Sequence, residues 1–141
     1  MAEASPWIAI VDDDPAVLKA LSRLLRSRAF RTHTYRSGEE FLAALPAGLP
    51  LCLIVDLQMP EMNGMELQHH LISKGIKIPT ILITAHADAT LPEASDERSH
   101  VASLRKPLQE DALFSAIETA IGSSRNAELK PGMPPLHGKE I

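Results

Sequence analysis

Apolar residues in this chain fall into two alternating kinds of segment. "WIAIV" (7–11), "LCLIV" (51–55) and "IPTILIT" (78–84) are short, nearly continuous apolar runs rich in β-branched residues, the pattern of strands buried on both faces. Between and after them, "DPAVLKALSRLLRSR" (14–28), "GMELQHHLISK" (64–74) and "QEDALFSAIETAI" (109–121) carry apolar residues at helical spacing. Val17, Leu21, Leu24 and Leu25 form the apolar face of the first, Leu67 and Leu71 that of the second, and Leu113, Ile117 and Ile121 that of the third. "FRTHTY" (30–35) alternates weakly and predicts a half-exposed edge strand. "EEFLAAL" (39–45) predicts a short helix led by Ser37-Gly38 and closed by Pro46 and Gly48, and a short strand is predicted near Val101–Leu104. Asp14-Pro15 marks a helix start, a capping side chain followed by a proline whose missing N–H costs nothing there. Strands alternating with helices predict a parallel sheet covered on both faces.

Length and composition narrow this to one domain. With 141 residues, 45% of them hydrophobic, the chain can build one compact core. A formal charge of −4 gives no electrostatic reason to expect nucleic acid. Cys52 is the sole cysteine, cannot form an internal disulfide, and reads as a small core residue. No segment is long enough to span a bilayer, and "MAEASPW" lacks the basic region and apolar stretch of a leader. A soluble cytoplasmic protein is the expectation. From Gly122 the periodicity is lost, and two Gly and three Pro fall within the last eleven residues. The reading is a domain over 1–121 and a flexible tail over 122–141.

The candidate chemistry lies at the strand ends. Ligands of open parallel α/β sheets bind outside the carboxyl ends of the strands. Here the first strand ends in Asp12-Asp13, the third in Asp56 and the fourth in Thr84, and the fifth leads into Lys106-Pro107. Three carboxylates crowded together repel, and burial raises their pKa values unless a cation neutralises them. An all-oxygen set of this kind suits Mg²⁺, which keeps positions open for phosphate oxygens. Lys106 adds a mobile point charge and Thr84 a hydrogen-bond donor. The assembly suits phosphoryl transfer onto a carboxylate, where positioning and electrostatics do nearly all the catalysis. Met59-Pro60 and Gly64 then shape the loop after Asp56 and restart the helix.

Blander readings exist for each residue taken singly. Acidic residues are favoured at a helix N-terminus, which accounts for Asp14 as a cap. Thr84 alone would be a strand-end hydroxyl and Lys106 alone a surface lysine. Their convergence with Asp12, Asp13 and Asp56 on one rim is what favours function. The six histidines show no metal-ligand spacing. His69-His70 read as surface residues, and His86 lies near the site mouth. Arg23, Arg26 and Arg28 read as a solvated helix face, and Trp7 as packing. There is no Gly-rich phosphate loop.

Together, "IAIVDDDPAVL", "LIVDLQMPEMNGMEL", "ILITAH" and "LRKPL" resemble the receiver domain of two-component response regulators, closest to the FixJ-type branch, over about residues 7 to 121. The resemblance implies a flavodoxin-like, five-stranded parallel sheet in the order 2-1-3-4-5. It implies that Asp56 is the phosphoacceptor for a histidine kinase in a Mg²⁺-dependent reaction within a phosphorelay. Asp13 would bind Mg²⁺ directly, Asp12 mainly through water, and Asp56 and the backbone carbonyl of Gln58 would complete the protein's ligands. Thr84 and Lys106 would hold the phosphoryl oxygens, Ala85 would leave room for the incoming group, and the Lys106–Pro107 bond would be cis. Such a protein is not an enzyme in the ordinary sense but assists its own phosphorylation and dephosphorylation. It would either stand alone or be severed from an output domain, with the output partner unassigned.

Two positions depart from the family. Ser103 stands three before the lysine, where Tyr or Phe is usual, and Ser99-His100 replaces the customary small pair. The segment "LPEASDERSH" (91–100) offers only Leu91 and Ala94 as core anchors, so the fourth helix of the pattern is expected to be atypical: short, displaced or mobile. Two other function classes share parts of this pattern. A haloacid-dehalogenase-like phosphatase would use Asp12 as nucleophile in "VDDDP", but it would want a further acidic pair after the lysine and a cap insertion. Glu110 and Asp111 instead begin a helix. A non-phosphorylated pseudo-receiver binding module would not need the five residues that are intact here.

Overall fold

A computed structural model describes residues 7–85 and 100–128 of the chain. Its strands follow the apolar runs: β1 (Trp7–Val11), β2 (Arg31–Tyr35), β3 (Cys52–Asp56), β4 (Thr80–Thr84) and β5 (His100–Arg105). All pair in parallel, in the order β2-β1-β3-β4-β5. Helices α1 (Pro15–Ser27), α2 (Gly38–Ala44) and α3 (Gly64–Ser73) lie between strands, and α4 (Glu110–Glu128) follows β5.

The period of two along each strand divides the core. Ile8, Ile10, Cys52, Ile54, Ile81 and Ile83 point to one face and meet Leu18, Leu21 and Leu25 of α1 and Leu113, Ile117 and Ala120 of α4. The residues between them, Ala9, Val11, Leu53, Val55 and Leu82, point to the other face and meet Phe41 of α2 with Leu67 and Leu71 of α3. Because both faces are covered, β1, β3 and β4 are unbroken apolar runs rather than alternating ones. The edge strand β2 keeps Arg31, His33 and Thr34 exposed, as its weak alternation predicts. Cys52 is buried, and burial pushes its thiol up to about 12, which leaves it an inert core residue. Trp7 packs against the second core cluster and meets His33 edge-to-face, with ring centroids 4.8 Å apart.

Local chemistry starts and stops the helices. Asp14 caps α1 by accepting the Ala16 N–H at 2.9 Å, with Pro15 as the first helical residue. α3 opens with a reciprocal capping box: Asn63 accepts from the Glu66 N–H, and the Glu66 carboxylate accepts from the Asn63 N–H. α4 runs seven residues past the expected end at Ile121. Residues 122–128, read as the start of a flexible tail, are therefore helical. Losing the apolar stripe does not end a helix that is already nucleated, and the first proline after it is Pro131. The rest of that tail, His86, and the atypical fourth helix expected over 91–100 lie outside the described residues, except that His100 already belongs to β5.

Gly64 matters for close approach rather than for an unusual backbone. A Cβ there would lie 2.8 Å from the Asp56 carbonyl oxygen and 3.2 Å from the Leu57 Cα. Both are backbone atoms at the end of β3, so neither can move without moving Asp56. Gly64→Ala is therefore expected to lower the unfolding free energy by about 1–3 kcal/mol. Urea unfolding measures this, and an unchanged midpoint would show that the α3 start does not pack as tightly as described.

Candidate functional site

Parallel strands end side by side, and their carboxyl ends deliver the polar residues to one rim. Asp12 follows β1 and is wholly buried, Asp56 ends β3 at 6% exposure, and Thr84 ends β4 with no exposed surface. Lys106 follows β5, and its N–H donates to the Thr84 carbonyl at 2.7 Å, which carries the β4–β5 pairing one residue past the strand. The next peptide bond, Lys106–Pro107, is cis as the resemblance implies. Asp13 is exposed at the mouth.

The Lys106 ammonium sits between two carboxylates, 3.0 Å from Asp12 Oδ2 and 3.7 Å from Asp56 Oδ2. The remaining oxygens take backbone donors: Asp12 Oδ1 accepts from the Asp14 N–H at 2.9 Å, and Asp56 Oδ1 accepts from the Gln58 N–H at 3.1 Å. Each carboxylate oxygen keeps a further lone pair for another ligand. One ligand atom from each of Asp12, Asp13 and Asp56 lies within 4.8 Å of the others. Three carboxylates against one ammonium leave the cluster at a formal −2. A divalent cation would cancel that charge, and an all-carboxylate donor set open to solvent on the Asp13 side fits Mg²⁺.

Asp56 registers the crowding most strongly. Burial first, and then the neighbouring Asp12 charge, push its carboxyl up to about 6, against the pull of Lys106 and of the Gln58 N–H. A carboxylate that ionises this reluctantly is poorly solvated and wants a cation or an electrophile.

The structure thus brings together Asp12, Asp13, Asp56 and Lys106, and sets Thr84 beside them on the adjoining strand. Ala85 is exposed just past Thr84. The resemblance assigns a role to the Gln58 carbonyl alone, but the Gln58 side chain accepts a hydrogen bond from the Thr84 hydroxyl. No signal in the sequence announces that contact between residues 26 apart, since it exists only once β3 and β4 are neighbours. The Asn63-x-x-Glu66 box is a helix-start signal present in the sequence itself.

A stability consequence follows from Asp56. The ordinary carboxyl value is 3.8, so the fold binds the Asp56 proton more tightly than the unfolded chain does. Its contribution is therefore most favourable below about pH 4 and is lost as the pH rises through about 6. In metal-free buffer, Asp56→Asn should stabilise the protein at pH 7.5 by on the order of 1–2 kcal/mol, and the gain should vanish below about pH 4. Chemical denaturation across that range checks it, and a destabilised variant at pH 7.5 would contradict the assigned electrostatics.

Comparison with known proteins agrees with the geometry. The family described as the response regulator receiver domain matches residues 8–118. The response regulator protein TmoT of Ectopseudomonas mendocina is 40% identical over 114 residues, covering 81% of this chain and 52% of TmoT. The transcriptional regulatory protein FixJ of Rhizobium meliloti is 36% identical over 111 residues, covering 79% of this chain and 54% of FixJ. This chain therefore spans about half the length of both relatives. The crystal structure of FixJ-N superimposes with a TM-score of 0.74 at 34% identity, covering 91% of this chain and 98% of that one. A family match over most of the chain, the β2-β1-β3-β4-β5 sheet and these relatives lead to one conclusion: the chain belongs to the receiver-domain family of two-component response regulators, in its FixJ-type branch.

Proposed function

We propose that this receiver domain accepts a phosphoryl group on Asp56 from a histidine kinase, with Mg²⁺ bound by Asp12, Asp13, Asp56 and the backbone carbonyl of Gln58. Receiver domains generally bind Mg²⁺ at an acidic pocket and are phosphorylated by histidine kinases, and homologues carry output domains. The observation that carries the reading to this site is the buried Asp56 carboxylate, 3.7 Å from Lys106 and flanked by two more acids.

In the transfer, an Asp56 carboxylate oxygen forms a bond to phosphorus as the P–N bond of the donor breaks and its electron pair leaves on nitrogen. The metal, when bound, offsets the negative charge of the carboxylates and of the phosphoryl oxygens. Lys106 is positioned to follow one phosphoryl oxygen, exchanging part of its contact with Asp12 for it. Thr84 supplies a hydroxyl donor at the adjoining strand end. The same donors would steady the group when water attacks phosphorus and releases phosphate, so the domain assists both its phosphorylation and its dephosphorylation.

The receiver domain then closes within α4, and the protein is a signalling module of the cytoplasm. Among the described residues, no helix is long and apolar enough to cross a membrane. A phosphatase using Asp12 is the weaker reading, because Asp12 is wholly buried with Lys106 at 3.0 Å, whereas Asp56 keeps some exposure and stands further from Lys106, at 3.7 Å.

Incubation with Mg²⁺ and phosphoramidate, followed by intact mass and mapping of the modified residue, tests the reading. One labile phosphoryl adduct on Asp56 is expected, absent in Asp56→Asn and lost when EDTA replaces Mg²⁺. An adduct on Asp12 would restore the phosphatase, and no adduct with Mg²⁺ bound would make the domain a pseudo-receiver.

A further inference from the structure

The hydrogen bond between Thr84 and Gln58 has no part in the transfer described above, yet it occupies a group the transfer needs. Thr84 is wholly buried at the last position of β4, and its hydroxyl donates to Gln58 Oε1. A hydroxyl has one proton to donate. If that proton is to serve a phosphoryl oxygen on Asp56, it must first leave the Gln58 amide.

Gln58 is well placed to make this exchange conditional on Asp56. Its backbone N–H donates to Asp56 Oδ1 at 3.1 Å, so its main chain is tied to the nucleophile. Its side chain reaches the other way, to the strand paired beside β3. A half-buried glutamine has solvent on one side into which the released amide can turn.

We propose that the Gln58 side chain is a resting-state latch on Thr84, a positioning residue that holds the hydroxyl in place and competes with the phosphoryl group for its proton. The proposal rests on the phosphoacceptor reading of Asp56 and assigns its control to a side chain outside the charged cluster. A hydrogen bond to an anionic oxygen is roughly twice as strong as one to a neutral amide, so the exchange runs toward the phosphoryl group. The bond given up is nevertheless subtracted from phosphoryl affinity. The latch also makes the Gln58 side chain move whenever Asp56 is occupied, at the start of the β3–α3 loop.

Beryllofluoride with Mg²⁺, a phosphoryl mimic that does not turn over, gives an equilibrium readout by calorimetry. Gln58→Met, which keeps the side chain's length and the backbone carbonyl but removes the acceptor, should tighten binding about three- to tenfold. The same substitution in a Thr84→Val background should change binding less than about twofold. Thr84→Ala, which also lacks the hydroxyl, should behave like Thr84→Val and stands in should that variant fail to fold, while a Thr84→Ser background, which keeps the hydroxyl, should retain the gain. No tightening by Gln58→Met, or equal tightening with and without the hydroxyl, would overturn the latch while leaving Asp56 as acceptor. If the wild-type protein binds beryllofluoride no better than Asp56→Asn does, the phosphoacceptor reading fails and the latch fails with it.

Discussion

One ammonium facing two buried carboxylates sets the terms for the rest of this molecule. Lys106 lies 3.0 Å from Asp12 and 3.7 Å from Asp56, and neither acid has full access to water. Lys106 offsets only one negative charge, so with Asp13 the rim remains formally at −2. An isolated chain would relieve that repulsion by moving apart, but here each acid stands at or just beyond the end of a central strand. The charge imbalance is thus held in place by the sheet, and the proposed binding of a cation and a phosphoryl group rests on it.

The sheet can hold it because its stability is generated elsewhere. Alternate residues of β1, β3 and β4 feed two separate apolar layers, one under α1 and α4 and the other under α2 and α3. Each fully buried Ile or Leu contributes about 1.5–3 kcal/mol, so several such side chains outweigh one poorly solvated carboxylate. Gly64 lets α3 begin directly against the Asp56 carbonyl, which leaves Asp56 little room to retreat.

Much of this was legible in the residues. Continuous apolar runs gave the inner strands, weak alternation gave the exposed edge β2, and Asp14-Pro15 gave the start of α1. The strand-end rule then collected Asp12, Asp13, Asp56, Thr84 and Lys106 without any knowledge of distance. Two things were not legible. The end of α4 lies beyond Ile121 because a fading hydrophobic stripe is not a fading helix, and "GSSRNAE" contains no breaker beyond its leading glycine. The Thr84–Gln58 bond depends on strand adjacency and on one rotamer, neither of which has a signature in a linear pattern.

Burial and like charge hold Asp56 reluctant to ionise, and a bound dication would relieve this. Titration of the Asp56 side-chain carboxyl by carbon-13 NMR, with and without Mg²⁺, tests it most directly. A midpoint near 6 is expected in metal-free buffer and, once Mg²⁺ is added, a midpoint lower by at least about one pH unit. A midpoint near the ordinary carboxyl value in metal-free buffer, or one indifferent to Mg²⁺, would contradict it.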